Sequence, residues 1–159
     1  MVGIAHDSDI QKIQALLEDV SDPEVPVLSV NDLGIIRDIK FYNGNIHITI
    51  TPTYSGCPAM DAISFDIKLK LLEHGYKNIK IDIVLSPAWT TEWMTDNGKR
   101  KLKEYGITPP GRSGITEAIL CPQCGSANTK LLSQFGSTSC KALHQCNDCK
   151  EPFDNFKCH

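Results

Sequence analysis

Residues 43–51 read Asn43-Gly44-Asn45-Ile46-His47-Ile48-Thr49-Ile50-Thr51. Isoleucine at every second position sets 46, 48 and 50 on one side of an extended chain, with His47, Thr49 and Thr51 on the other, which is the period of a half-buried strand. Asn43-Gly44 supplies the two positive φ angles of a tight hairpin turn. The segment Ile35 to Phe41, rich in β-branched residues, is therefore predicted to fold back as its antiparallel partner. The hairpin has one face to bury.

Its cover is written on both sides of it. Upstream, Ser8 followed by Gln11 has capping-box spacing, and Ile10, Ile13, Leu17 and Val20 recur at helical intervals, predicting a helix over about 9–20. Ser21-Asp22-Pro23-Glu24-Val25-Pro26 cannot continue it, because two prolines remove amide donors and restrict the residues before them. Downstream, Met60, Ile63, Ile67 and Leu71 form one stripe of a helix predicted over about 58–74, with Gly75 placed to stop it. Ile79, Ile81, Ile83 and Leu85 alternate as a third strand that ends at Pro87, and a last helix carries Leu102 and Tyr105 and fades at Gly106. The order α-β-β-α-β-α predicts an α+β domain over 1–108 with helices on one face of a mixed sheet. Residues 109–116, rich in Pro, Gly and Ser, have linker composition, and a second module follows over 117–159.

With 41% apolar and 22% charged residues the 159-residue chain is globular, and a net charge of −3 gives no strong attraction to nucleic acid or to an anionic membrane. No run is long and apolar enough for a spanning helix, and Met1 to Asp7 lacks the basic start and apolar core of a signal peptide, so a cytoplasmic location is expected. In a reducing compartment seven cysteines are poor disulfide candidates.

Six of the seven lie in the tail. Cys121-Pro122-Gln123-Cys124-Gly125 and Cys146-Asn147-Asp148-Cys149 each place two thiolates on one tight turn, and two such turns make a tetrahedral site. Structural zinc is expected, although a rubredoxin-like iron site uses the same ligands. So short a module cannot hold a core unaided, so the ion supplies much of its folding free energy. Cys140, Cys158, His144 and His159 are spare, each able to replace one of the four. Phe135, Phe153 and Phe156 either pack the thin core or form a contact patch.

Cys57 stands alone, directly before Pro58 at the predicted start of a helix. Proline suits the first helical position, which makes Cys57 the expected N-cap. There the helix dipole and nearby amides favour the thiolate, hence nucleophilicity and metal ligation, while Asp61 opposes it. A structural cysteine at a helix end is the competing reading. His47 is on the polar face of the hairpin and His74 is at the far end of the helix, so a Cys-His hydrolase is poorly supplied with a base. Asp22 and Glu24 flank Pro23, either presenting oxygen ligands or capping and solvating the loop.

The stretches DPEVPVLSVNDLGII (22–36), TPTYSGCPAMDAI (51–63) and PAWTTEWM (87–94) together resemble the iron-sulfur assembly domain family that includes the SufT-like bacterial factors. CPQCGS (121–126) and FGSTSCKALHQCNDCKEPFDNFKCH (135–159) extend the resemblance to the PaaD family, accessory components associated with bacterial phenylacetyl-CoA ring epoxidases. The resemblance implies an accessory, non-enzymatic role in aerobic phenylacetate degradation. Its partners would be the oxygenase and reductase components, and its task to assist assembly of their iron or iron-sulfur centre. Cys57 then corresponds to the family's characteristic cysteine, and Asp22 and Glu24 to its acidic loop. One thiolate cannot hold a cluster, so a transiently held iron or cluster would need thiolates from a second protomer or a client. The ribbon is an addition to the single-domain members, leaving cluster handling to Cys57, to the tail or to both. No helix carries the Glu-x-x-His pairs of a di-iron oxygenase. Two other classes compete: a thiol redox protein using Cys57 or the Cys121-Cys124 pair, and a ribbon that binds nucleic acid or protein as an adaptor.

Overall fold

The computed structural model describes residues 7–53, 59–109, 118–136, 138 and 140–156. The chain divides into two compact units, the first ending at Trp89 and the second beginning at Thr90.

In the first unit, α1 (Asp7–Leu17) leads through a loop to a single-turn helix α2 (Val30–Leu33), then to β1 (Ile36–Tyr42), β2 (Asn45–Ile50), α3 (Met60–Glu73) and β3 (Asn78–Ile83). The hairpin is as its turn dictates: Asn43 and Gly44 have φ of 48° and 77°, and β1 pairs antiparallel with β2. β3 then pairs parallel with the other side of β2, giving the order β1-β2-β3. A parallel neighbour needs a crossover long enough to return the chain, and α3 provides it.

Ile46, Ile48 and Ile50 are buried, as are Ile13 and Leu17 of α1 and Met60, Ile63, Ile67 and Leu71 of α3. Each such side chain contributes roughly 1.5–3 kcal/mol by leaving water. Trp89 closes the unit, its indole N–H donating to the carbonyl of Leu33 at 2.8 Å.

Several local details differ from the sequence pattern. β3 ends at Ile83, short of Leu85. α1 ends at Leu17 rather than Val20, because the amides of Glu18, Asp19 and Val20 each bond three residues back, tightening the last turn out of α-helical geometry. At the other end α1 already includes Asp7, so Ser8 lies inside the helix rather than at its cap. α2 was not foreseen, yet its signal is in the chain: Ser29 and Asp32 form a reciprocal capping box, and Gly34 ends the turn at φ 69°.

The second unit holds α4 (Asp96–Glu104) and β4 (Ile107–Thr108), followed by β5 (Thr129–Ser133), β6 (Lys141–Cys146) and β7 (Pro152–Phe156). Thr95 caps α4 by accepting the amide of Gly98 at 3.0 Å. β4 groups with the tail because it pairs in parallel with β7, completing a four-stranded sheet of order β4-β7-β6-β5. No helix among the described residues is long and apolar enough to cross a membrane.

Ile67, fully buried at the centre of α3, tests the first core. Ile67→Ala is expected to cost about 3 kcal/mol, read as a lower urea midpoint in circular dichroism.

Candidate metal centre

Two similar turns build the site. In the first, the amide of Gly125 donates to the carbonyl of Cys121 at 2.8 Å, and the amide of Cys121 to that of Ser126 at 2.9 Å. In the second, the amide of Cys146 donates to the carbonyl of Glu151 at 3.0 Å, and the Cys149 amide points at the Cys146 sulfur at 3.5 Å. Each turn is released by a left-handed residue directly after its second cysteine: Gly125 at φ 77° and Lys150 at φ 67°.

These turns bring Cys121, Cys124, Cys146 and Cys149 together, all four sulfurs lying within 4.8 Å of one another. Cys121 and Cys149 are 3.6 Å apart, as are Cys124 and Cys146. A tetrahedral ion with metal–sulfur bonds of about 2.3 Å has edges of about 3.8 Å, whereas a disulfide would draw two sulfurs to about 2.05 Å. The donor set therefore fits one thiophilic ion, and zinc suits it.

The protonation of three of these thiols, Cys124, Cys146 and Cys149, points the same way. The Cys149 amide, helped by that of Asp148, lowers the Cys146 thiol to about 7. At Cys149 the Glu151 amide pulls downward, but partial desolvation and the neighbouring sulfurs of Cys121, Cys146 and Cys124 outweigh it and push the thiol up to about 12. At Cys124 the Ser126 amide is likewise outweighed, by the Cys146 sulfur and desolvation, and the thiol is raised. Without a cation the cluster ionises once with ease and then resists, because like charges crowd. A divalent ion held by these sulfurs would favour their thiolate forms.

Polar groups lock the two turns together. The Asp148 carboxylate accepts from the Ser126 hydroxyl and from the Asn128 side chain at 3.1 Å, while the Asn147 amide donates to the Asn128 carbonyl at 2.8 Å. These partners hold the Asp148 carboxyl below the usual carboxylate range. Behind the sulfurs, Cys121, Cys146 and Phe153 form a small core with Ile119 against it.

The spare tail residues have other places. His144 is buried and stacked on Phe153, centroids 5.7 Å apart, and burial lowers its pKa. Cys140 is buried with its sulfur 3.0 Å from the Thr138 hydroxyl. Neither joins the four-sulfur group. Cys158 and His159 lie outside the described residues.

In the first unit, Cys57 also lies outside the described residues; α3 is described from Met60, and Ala59 already has helical angles of φ −73° and ψ −14°. Asp22 is buried, its Oδ1 accepting the amides of Glu24 at 2.7 Å and Val25 at 3.3 Å, so this carboxylate shapes the loop. Glu24 is half-buried. His47 Nε2 is 2.5 Å from Asp82 Oδ2, a cross-strand pair on the polar face, and the hydrogen bond lowers the Asp82 pKa. His74 Nδ1 donates to the carbonyl of Lys70 at 2.9 Å. The Asp148 clamp and the His47–Asp82 pair were missed in the sequence because their members are far apart along the chain.

Comparison with known proteins divides the chain similarly. Residues 10–88 match the family described as "Iron-sulfur cluster assembly protein", and residues 108–157 match the "PaaD zinc beta ribbon domain". The chain is 43% identical to an Escherichia coli (strain K12) protein named as a component of 1,2-phenylacetyl-CoA epoxidase, covering 94% of this chain and 93% of that one. It is 35% identical to an Fe-S protein maturation auxiliary factor of Porphyromonas gingivalis, over 58% of this chain and 89% of the relative. A crystal structure of a domain of unknown function from Bacillus anthracis superposes with a TM-score of 0.55 at 34% identity, over 58% of this chain and 89% of that chain.

Cys146→Ser is expected to abolish stoichiometric metal and to remove amide-exchange protection from β5, β6 and β7, while β1, β2 and β3 stay protected. Asp148→Ala keeps all four thiols, so it should retain the ion but weaken its hold about tenfold or more, measured as transfer to a chromogenic chelator.

Proposed function

Since the chain belongs to the PaaD family, with an iron-sulfur cluster assembly domain ahead of a zinc ribbon, we propose that it is an accessory protein of the phenylacetyl-CoA epoxidase system. It does not perform the oxygenation. Its task is to assist assembly of an iron or iron-sulfur centre in the oxygenase or reductase components.

The observation that carries this reading is the 43% identity to the E. coli epoxidase component, which spans both modules and 94% of the chain. Similarity of the first module alone to maturation factors supports the kind of task, not the client. The two modules divide the work. The four tail thiols serve structure and Cys140 is buried; Cys57, which the family resemblance singles out, is the thiolate for cargo. A single thiolate cannot retain a cluster, so the cargo is bridged to thiolates of a client or of a second protomer. Asp22 holds the preceding loop in shape, and Glu24 is the loop's carboxylate for iron.

The test is coexpression of the oxygenase and reductase components with wild-type or Cys57→Ala protein, followed by iron and sulfide analysis of the purified components. Cys57→Ala is expected to leave the ribbon ion in place and to lower client loading to the level found without the accessory protein. Full loading and activity with a folded Cys57→Ala protein would remove Cys57 from the mechanism.

A further inference from the structure

The four sulfur ligands do not meet solvent equally. Cys121 and Cys146, the first cysteine of each turn, are 2% and 0% exposed and pack with Phe153 and Ile119. Cys124 and Cys149, the second of each turn, are exposed. An ion among them would be walled by hydrocarbon on one side and open on the other. Contacts across the turns follow the same division: exposed Cys124 lies 3.6 Å from buried Cys146, and exposed Cys149 lies 3.6 Å from buried Cys121. Each exposed sulfur is thus backed by a buried sulfur of the opposite turn.

We propose that the site is a reversible peroxide switch: hydrogen peroxide oxidises Cys124 or Cys149 from the open side, and the buried thiolate of the opposite turn closes a disulfide that releases the ion. In the first step the exposed thiolate attacks peroxide. The S–O bond forms, the O–O bond breaks, hydroxide leaves, and the sulfur becomes a sulfenic acid. In the second step a thiolate displaces that oxygen, entering opposite to it. Oxygen delivered from solvent points outward, so the incoming sulfur lies behind, where Cys146 backs Cys124 and Cys121 backs Cys149. Closing either contact to a bond of about 2.05 Å needs a movement of about 1.5 Å. The S–S bond forms, the S–O bond breaks and a second hydroxide leaves, so two thiolates give up two electrons and one peroxide accepts them. Two thiolates remain, too few for a tetrahedral ion. The new bond joins the two turns as the ion did, which keeps the site ready to reload on reduction; a bond within Cys121–Cys124 or Cys146–Cys149 would leave the turns unconnected. The switch uses neither Cys57 nor the proposed client.

Treatment of the full, zinc-loaded chain with hydrogen peroxide tests it, with an untreated sample as reference. Zinc is expected to pass to a chromogenic chelator, and peptide mapping to find Cys124–Cys146 or Cys121–Cys149. Dithiothreitol followed by zinc should restore the original metal content. Dimedone present during oxidation, which traps sulfenic acids, should label Cys124 or Cys149. The Cys57→Ala chain should respond as the wild type does. Zinc retained under peroxide, disulfides confined to one turn, dimedone on Cys121 or Cys146, or loss of metal that reduction does not reverse would each overturn the switch. A response abolished by Cys57→Ala would also overturn it, by moving the chemistry to the first unit.

Discussion

Four sulfurs held within 4.8 Å cannot all carry charge unless a cation sits among them, and the second unit is organised around that constraint. The apolar cluster behind the site is small, Cys121, Cys146 and Phe153 with Ile119 packed on, while Leu102, Ile107, Ala142 and Phe156 are buried elsewhere in the unit. A cation held by the four sulfurs would add its binding free energy to what this modest core supplies. The amides aimed at the Cys146 sulfur lower the cost of ionising it, and the carboxylate of Asp148 holds the two turns at the spacing the ion requires.

The first unit solves the same problem by different means. Its isoleucines on β2, its stripe on α3 and the inner face of α1 supply enough buried surface for a core with no ligand. This frees its chemistry-bearing residues from structural duty, except where a loop needs one: Asp22 is buried because two backbone amides need its oxygen. The contrast is between a unit whose core is hydrocarbon throughout and a unit that gathers four thiols around one point.

What could be read from the chain beforehand follows the range of the interaction. The hairpin was legible because Asn43-Gly44 and the alternating isoleucines are adjacent in sequence, and the metal ligands because a two-residue spacer fixes sulfur geometry within one turn. The inner stripe of α3 was equally plain. The end of α1 was not, since the choice between α and tighter bonding at Glu18 to Val20 is made by the loop that follows. The clamp linking Asp148 to Ser126 and Asn128 joins residues about twenty positions apart, and the pairing of β4 with β7 joins residues nearly fifty apart. No local pattern announces either.

Strand order and sulfur site are not separate features. β5 is kept in place by β6, whose last residue, Cys146, is one of the four converging thiols and lies opposite Thr129, the first residue of β5. A cation held by the four sulfurs would bind the folded arrangement and not the unfolded chain, so its binding free energy would stabilise the β5–β6 pairing directly.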